Sequence, residues 1–462
     1  MKRTALLLGA VLAAATASCG RRPAPQPEAP TPTPEQPAEA LPPPAPPPEP
    51  EMAPPPPPAP AGYVPPSLVP QPNEPLIRVG LVVDRDSALF SATGQFRILD
   101  AGGGALAISD AGKVWSVRAG DSPGRLYLYR PDGPEPIALA APVVVRPEQD
   151  GQFLTIGERR FRGEFLLQRG TIGVTVVNRL PLEQYLLSVV ALELGFRAPS
   201  DREAVKAQAV AARTYAVRFR NRREALGFDV FPTDADQVYS GVESEMPEVN
   251  AAVGATAGEI VTWQGQPIQA LFHSTCGWST ESSAQVFQNG EPVPYLRATT
   301  DRYGQGDRDF YCAVSPRFRW REEWDAATLT SILSQTLPAI VRAGASSGVG
   351  RVTDVRVAKT TPTGRVAELV VTSTTGTWIV PLGRVREALR PTIQRQLWSN
   401  MFQVQVEKNG SGELVKVAAA GGGYGHGVGM CQFGAVGRAR AGWLYTQILS
   451  TYYDGTRLER IY

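Results

Sequence analysis

The fold is decided by the stretch Leu180–Arg223, which reads LPLEQYLLSVVALELGFRAPSDREAVKAQAVAARTYAVRFRNRR. In its first part, apolar residues and one acid recur at i, i+4, i+7 and i+11, which is the spacing of one helical stripe. The members of this stripe are Leu182, Leu186, Val189 and Glu193. Pro181 suits the first turn of a helix, because its missing N–H would have no partner there. The pattern therefore predicts a helix that carries a carboxylate on the apolar face of its last turn.

Glu193 is the residue of this first helix that can carry chemistry. Burial disfavours the charged form of a carboxylate, and so does the negative end of the helix dipole. Both effects raise the pKa of the Glu193 carboxyl, which is what a general acid requires. The alternative interpretation is that Glu193 ends the helix at the protein surface and has no chemical role.

A second helix is predicted to follow after a short break. Ser200 and Glu203 have the spacing of a capping box at its start. An apolar stripe follows, formed by Val205, Ala209, Ala212, Ala216 and Phe219. The opposite flank is basic, with Arg202, Lys206, Arg213 and Arg220. Arg213 lies between small residues, so its guanidinium could reach a carboxylate or a sugar substituent. Alternatively, the basic flank is a solvated helix face.

Six motifs follow one another in order along the chain. They are LPLEQYL at 180–186, VVALEL at 189–194, AVKAQAVAARTY at 204–215, DQVY at 236–239, FHSTCG at 272–277 and GHGVGM at 425–430. In combination they resemble the SpoIID/LytB family, and the similarity extends from about residue 77 to residue 462. The resemblance implies either a peptidoglycan lytic transglycosylase or an enhancer of a cell-wall amidase.

The resemblance also implies roles for individual residues. It places the family's catalytic glutamate on Glu193 and its functionally important arginine on Arg213. The same motifs make four further residues candidate substrate contacts, namely Gln208, Tyr239, Ser274 and His426. One departure concerns the acid itself: the family usually has Met-Pro after this glutamate, whereas this chain has Leu194-Gly195. We therefore expect a different local backbone beside the acid.

The N-terminus has the pattern of an export signal. Lys2 and Arg3 precede a short apolar run, and small residues then lead to Cys19. The run is too short to span a bilayer as a mature helix, so residues 1–19 are interpreted as a lipoprotein-type signal peptide whose cysteine receives a lipid anchor. The alternative is ordinary signal cleavage nearby. The chain is thus expected to be an exported, membrane-anchored protein of the bacterial cell envelope, facing the periplasm.

Composition divides the rest of the chain. Residues 20–75 are rich in Pro and Ala and are expected to form an extended, disordered tether. Residues 76–178 read as short strands separated by turns, and residues 179–462 as the catalytic domain, with a peripheral lobe at about 325–400. The predicted fold class is α+β, in which mixed β-strand lobes surround a central helical pair that carries the candidate catalytic glutamate.

The glycine run Gly421–Gly423 leads into the GHGVGM motif. A Gly-rich loop before a helix can bind phosphate, but no Lys-Ser/Thr follows it here. We therefore expect these glycines to let the backbone approach a flat glycan closely.

Histidine and cysteine are rare in this chain and lie close to the motifs. Its two histidines are His273 and His426, and beyond Cys19 its cysteines are Cys276, Cys312 and Cys431. Three arrangements remain open: a Cys276–Cys312 disulfide with Cys431 free, a Cys₃His zinc site that includes one of the histidines, or three separate buried thiols. Zinc held by three thiolates and one imidazole would be structural, because no coordination position stays open.

The formal net charge of +2 gives no indication of nucleic-acid binding. The resemblance, together with the candidate acid Glu193, implies a lytic transglycosylase that cleaves the MurNAc–GlcNAc β-1,4 bonds of glycan strands and leaves 1,6-anhydro ends. The resemblance further implies glycan stripped of its stem peptides as the substrate. No cofactor is required, apart from the candidate structural zinc. The rival hypothesis is a non-catalytic, wall-binding enhancer of an N-acetylmuramoyl-L-alanine amidase. A zinc-dependent amidase is disfavoured, because no open metal site with a nearby base is apparent in the sequence.

Overall fold

A computed structural model of the chain describes residues 70–196, 198–287, 292–341 and 348–462. The predicted signal peptide and most of the predicted tether lie outside the described residues. The fold mixes α and β structure, with several sheets and, in the described part of the chain, eight α-helices. None of the helices within these ranges combines the length and the apolar character needed to cross a membrane.

The strands and helices are numbered in chain order. The strands are β1 Leu76–Arg85, β2 Ser87–Ala92, β3 Phe96–Leu99, β4 Ala105–Ser109, β5 Trp115–Ala119, β6 Arg125–Tyr129, β7 Pro136–Ala140, β8 Val143–Pro147, β9 Leu154–Ile156, β10 Arg159–Phe161, β11 Glu164–Arg169, β12 Val174–Pro181, β13 Glu259–Trp263, β14 Gln266–Pro267, β15 Phe272–His273, β16 Trp320–Asp325, β17 Val352–Thr360, β18 Val366–Ser373, β19 Gly376–Pro381, β20 Phe402–Lys408, β21 Leu414–Gly421, β22 Met430–Cys431 and β23 Arg457–Arg460. The helices are α1 Leu182–Glu193, α2 Arg202–Phe219, α3 Pro247–Ala255, α4 Ser283–Val286, α5 Ala326–Ile340, α6 Leu382–Ala388, α7 Gln432–Arg440 and α8 Tyr445–Tyr452.

Two antiparallel six-stranded sheets form the N-terminal part of the fold. Their strand orders are β1-β12-β11-β8-β3-β4 and β10-β9-β2-β5-β6-β7. Alternation of apolar and polar residues explains why they pack: in β6, Leu126 and Leu128 are buried, whereas Tyr127 between them is partly exposed. Buried residues of both sheets belong to the same hydrophobic cluster as those of α1 and α2. The β-rich segment and the helical pair thus share one core.

The helical pair begins directly at the end of a sheet strand. Strand β12 runs to Pro181, and α1 starts at the next residue, so Pro181 is the N-cap and not a first-turn residue. The predicted stripe members Leu182, Leu186 and Val189 are fully buried. Helix α2 packs against α1 through its alanine-rich face, where small side chains allow a close approach of the two backbones.

The predicted capping box at the start of α2 is wrong. Residues Pro199–Asp201 form a 3₁₀ turn, and α2 begins at Arg202 with Asp201 as an N-cap that makes no side-chain capping hydrogen bond. The Asp201 carboxylate instead pairs with Arg440 of α7 at 2.7 Å, and Glu203 pairs with Lys206 at 2.7 Å. Glu203, which the pattern assigned to the cap, thus pairs within the helix and also accepts the N–H of Tyr445.

A second hydrophobic core lies in the C-terminal half. It is enclosed by the sheets β16-β21-β20 and β17-β18-β19 together with α5 and α6, and its buried members run from Trp320 to Ala419. The lobe expected at about 325–400 falls within these residues. Helix α5 continues through Pro338 to Ile340.

Strand pairing brings two of the sequence motifs side by side. Pro267 pairs with Thr262 in a short hairpin. Strand β15 then pairs in parallel with β22, with His273 opposite Cys431. The FHSTCG and GHGVGM motifs, more than 150 residues apart in the chain, are therefore neighbours in space.

Candidate functional site

The carboxyl group of Glu193 lies where three segments meet. Its Oε1 accepts the backbone N–H of Val238 at 3.0 Å, and its Oε2 lies 3.4 Å from the side-chain amide Nε2 of Gln432. Glu193 is the last residue of α1, Val238 belongs to the loop after α2, and Gln432 is the first residue of α7. The residue as a whole is half-buried.

Helix α1 also positions the loop that reaches Glu193. Tyr185 donates from its hydroxyl to Gln237 Oε1 at 3.2 Å, and the Ser188 hydroxyl accepts the N–H of Ser240 at 3.1 Å. From the other side, Gln237 Nε2 donates to the carbonyl of Ala212 in α2 at 3.3 Å. Because the loop is fixed on both sides of Val238, its N–H is held in place for the carboxylate.

A left-handed glycine ends the helix beside the acid. Gly195 has φ of +70°, and its N–H and that of Leu194 both donate to the carbonyl of Val190 at 3.1 Å. Glycine tolerates this conformation without strain and commonly terminates helices in this way. The Leu194-Gly195 pair therefore ends α1 directly after Glu193.

Burial raises the pKa of Glu193 to about 7. Hydrogen bonds from Val238 and Gln432 act in the opposite direction, and the nearby charge of Asp234 raises the pKa further. The direction agrees with the expectation from its place on an apolar helix stripe. A carboxyl group with this pKa is partly protonated at neutral pH, so it can give a proton and also take one back.

Gln208 belongs to the same group of residues. It is fully buried, and its Oε1 lies 3.5 Å from the amide Nε2 of Gln432. Its own Nε2 has no hydrogen-bond partner among the described residues. Gln432 thus bridges Gln208 and Glu193. No motif in the sequence pointed to Gln432, although it directly follows the cysteine after the GHGVGM motif.

Arg213 lies in the core rather than at an open surface. Its Nε and Nη2 donate to the two oxygens of Glu183 at 2.7 and 2.8 Å, and its remaining donors reach the carbonyls of Glu259 and Val253. The residue is fully buried. The guanidinium does reach a carboxylate, as the sequence suggested, but that carboxylate belongs to the protein. A contact with substrate would require this core to open.

Tyr239 and Ser274 are also engaged within the protein. The Tyr239 hydroxyl donates to Asn178 Oδ1 at 2.7 Å, and its ring packs against Tyr185 in the core. The Ser274 hydroxyl lies 3.3 Å from that of Thr275, and its residue is only partly exposed. These contacts give both residues structural roles, and their predicted substrate contacts stay predictions.

The two histidines lie next to each other, with ring centroids 5.4 Å apart. His426 Nε2 donates to the carbonyl of Phe272 at 2.9 Å, and its Nδ1 accepts the N–H of Val428 at 3.1 Å. Burial, assisted by the proximity of His273, lowers the pKa of His426 to about 3. Since both ring nitrogens bond the backbone and the ring is neutral, His426 serves to join the two motifs.

Two glycines of the GHGVGM motif, Gly427 and Gly429, serve packing within the protein, and the expected close approach of a glycan stays a prediction. A side chain at Gly429 would lie 2.1 Å from the carbonyl oxygen of Leu271, and one at Gly427 would lie 2.5 Å from the guanidinium of Arg365. Both glycines have positive φ. The loop therefore requires glycine to lie against the segment that carries the FHSTCG motif.

The three cysteines Cys276, Cys312 and Cys431 form one buried cluster. All three are free, and their sulfur atoms lie within 4.8 Å of one another and of a carboxylate oxygen of Asp301. The fourth member of this cluster is Asp301, whereas the sequence predicts a histidine there. His273 lies beside it, with its Nδ1 3.1 Å from the carbonyl of Val428. No sequence motif pointed to Asp301.

Comparison with known proteins places this site in a family. A family model described as Stage II sporulation protein matches residues 171–263, and a model of a domain of unknown function matches residues 302–429. Stage II sporulation protein D of Bacillus subtilis is 30% identical over 298 residues, which are 61% of this chain and 76% of that protein. The chain belongs to the SpoIID family.

Two further relatives extend the comparison for this SpoIID-family chain. An uncharacterized protein of Brachyspira hyodysenteriae is 32% identical over 314 residues, covering 68% of this chain and 75% of the relative. An amidase enhancer of Bacillus subtilis is 32% identical over 280 residues, which are 55% of this chain and 38% of that protein. The resemblance to the SpoIID/LytB family inferred from the motifs is confirmed.

The buried pair of Arg213 and Glu183 predicts a large loss of stability when it is broken. Arg213→Ala leaves the Glu183 carboxylate buried without its partner and should cost roughly 3–5 kcal/mol. Arg218→Ala, an exposed change on the same helix, should cost less than about 0.5 kcal/mol. Unfolding in urea measures both. An Arg213→Ala protein as stable as the wild type, with only its glycan affinity lost, would contradict the structural role.

The raised pKa of Glu193 predicts a pH-dependent cost to stability. The unfolded carboxyl ionises near 4.5 and the folded one near 7, so stability is lost as the pH rises between these values and stays reduced above them. Glu193→Gln removes this cost and should stabilise the protein at pH 8 by on the order of 1–2 kcal/mol, with little gain at pH 4.5. Urea unfolding across pH tests this, with Glu224→Gln as the exposed control. A gain independent of pH would contradict it.

Proposed function

We propose that this protein is a peptidoglycan lytic transglycosylase and that Glu193 is its catalytic residue. In the first step, protonated Glu193 gives its proton to the glycosidic oxygen of a MurNAc–GlcNAc β-1,4 link, and the bond to the muramic C1 breaks. In the second step, the resulting carboxylate takes the proton from the muramic C6 hydroxyl, whose oxygen bonds C1 and closes a 1,6-anhydro ring. The nucleophile is intramolecular, so one carboxyl group suffices and no second one need activate water.

The observation that carries this proposal is the state of the Glu193 carboxyl. Its pKa of about 7 suits a group that acts as acid and then as base at neutral pH. The side-chain amide of Gln432 lies within hydrogen-bond distance of the carboxylate. Behind it, the buried Gln208 side chain contacts Gln432 through Oε1, and its Nε2 has no hydrogen-bond partner among the described residues. Membership in the SpoIID family supports a role at the cell wall. As the substrate we propose glycan strands, most suitably those without stem peptides.

Glu193→Gln should abolish glycan cleavage while the fold is kept. The test is mass spectrometry of denuded glycan after digestion, in which wild-type protein should release fragments with 1,6-anhydro ends and the variant none. Because the reaction starts from the protonated acid, kcat/KM should fall as the pH rises through about 7. Glu224→Gln, an exposed change of the same kind, is the control and should cleave like the wild type. Full activity of Glu193→Gln would overturn the mechanism.

A second candidate function is that of a non-catalytic enhancer of an N-acetylmuramoyl-L-alanine amidase. The relative named amidase enhancer favours it, since its similarity covers 55% of this chain. The half-buried position of Glu193, between the Val238 N–H and Gln432, is compatible with a structural role of this acid. The digestion above separates the two functions: an enhancer releases no anhydro ends by itself, and both the wild type and Glu193→Gln stimulate the amidase equally.

We also propose that the protein is exported and held at the membrane by a lipid on Cys19. The support comes from the sequence: a basic start, an apolar run and small residues before the cysteine, followed by a Pro-rich tether. An anchored enzyme on a long tether can reach wall polymer at a distance from the membrane. The partners would then be the membrane, glycan strands and, for the second function, an amidase.

Cys19→Ser should move the protein from the membrane fraction to the soluble fraction of the envelope. Without the thiol no thioether-linked lipid can form. Fractionation, combined with mass spectrometry of the N-terminal peptide, measures the change, and Ser18→Ala, which keeps a small residue beside the cysteine, is the control. Membrane association of Cys19→Ser together with an unmodified wild-type N-terminal peptide would rule out the anchor.

A further inference from the structure

Four buried donor atoms meet in the C-terminal half of the fold. They are the sulfur atoms of Cys276, Cys312 and Cys431 and a carboxylate oxygen of Asp301, all within 4.8 Å of one another. Cys276 Sγ lies 3.5 Å from Cys312 Sγ and 3.2 Å from Asp301 Oδ2. Tetrahedral zinc, with Zn–S bonds of about 2.3 Å, holds its sulfur ligands roughly 3.8 Å apart. The four donors therefore already have nearly the separations of a metal-bound set.

The carboxylate of Asp301 is oriented by two other side chains. Its Oδ1 accepts hydrogen bonds from Arg438 and from the hydroxyl of Tyr452, the latter at 2.8 Å. The other oxygen, Oδ2, is thereby turned toward the sulfur of Cys276. Metal-binding carboxylates are characteristically fixed in this way by outer hydrogen bonds. The second oxygen of Asp301 thus lies against the cluster that contains the three sulfur atoms.

The charges around the cluster also fit a divalent cation. Three thiolates and one carboxylate carry four negative charges, of which a divalent ion offsets two. Two buried guanidinium groups adjoin the cluster: Arg438 pairs with Asp301, and Arg365 donates to the carbonyl of Cys276 at 3.1 Å. In addition, the Cys431 sulfur accepts the backbone N–H groups of Cys276 and Gly434 at 3.1 and 3.2 Å, so the backbone holds this sulfur in place within the cluster.

We propose that Cys276, Cys312, Cys431 and Asp301 bind one zinc ion in a structural site. All four coordination positions are filled by protein, and every ligand is buried, so water and substrate have no access to the ion. The ion would join segments that are distant in sequence: the turn after β15, the loop at Asp301, the 3₁₀ turn Tyr311–Val314 and the start of α7.

The proposed ion stabilises the neighbourhood of Glu193 through a single residue. Cys431 is the N-cap of α7 and directly precedes Gln432, whose amide bonds the Glu193 carboxylate. Holding Cys431 therefore holds Gln432. The zinc site does not depend on the proposed reaction, since an enhancer would need the same segments joined.

Metal content decides the proposal. The full chain, purified without chelator or reductant, should contain about one zinc per chain by elemental analysis, and chelation should lower its Tm. Cobalt(II) in place of zinc should give thiolate-to-cobalt charge-transfer bands and the intense visible bands of a tetrahedral site. Asp301→Asn should lose most of the metal, whereas Asp307→Asn, an exposed change in the same loop, should keep it.

Two results would overturn the zinc site. One is metal-free protein in which non-reducing digests yield a peptide with Cys276 joined to Cys312. The other is metal-free protein with three alkylatable thiols after unfolding. Because loss of a buried cysteine can prevent folding, these measurements use the wild-type chain. Full zinc content in Asp301→Asn would overturn the assignment of its carboxylate as the fourth ligand.

Discussion

The buried ion pair of Glu183 and Arg213 is the contact on which the arrangement of the helices depends. Glu183 lies in the first turn of α1, and its oxygens accept both Arg213 of α2 and the N–H of Gly258, which precedes β13. The hydroxyl of Tyr462, the last residue, bonds the same carboxylate. One pair thus joins the helical pair to a sheet and to the C-terminus. A buried pair of this kind contributes little net energy but fixes one arrangement, because any other would leave a charge unpaired in the core.

With the start of α1 held by Glu183, the length of the helix determines where its last residue lies. Glu193 arrives among protein atoms that offer its carboxylate one backbone N–H and one amide. These two donors stabilise the ionised carboxylate less than water would, so the carboxyl group keeps its proton up to about neutral pH. The fold thus leaves the ionised form of Glu193 less stable than it would be in water. Groups with perturbed pKa values concentrate at functional sites.

The periodicity of apolar residues predicted both helices and the burial of their apolar stripes, because an apolar helix face packs against the core. It could not predict which charges pair. Arg213 looked available on a basic flank, but its partner Glu183 lies thirty residues earlier, and only the packing of α1 on α2 brings them together. Asp201 likewise forms an ion pair with Arg440, which lies far along the chain. Asp301 lies in no motif, so its place among the cysteines could be found only from coordinates.

The start of α7 links the cysteine cluster to the carboxyl group of Glu193. Cys431 and Gln432 are consecutive, and their side chains contact the sulfur cluster and Glu193, respectively. The parallel pairing of β15 with β22 holds this junction from the other side, and it requires the glycine at 429, where any side chain would collide with the carbonyl of Leu271. Two motifs more than 150 residues apart therefore act as one unit. Their contacts with one another support the segment that reaches the Glu193 carboxyl.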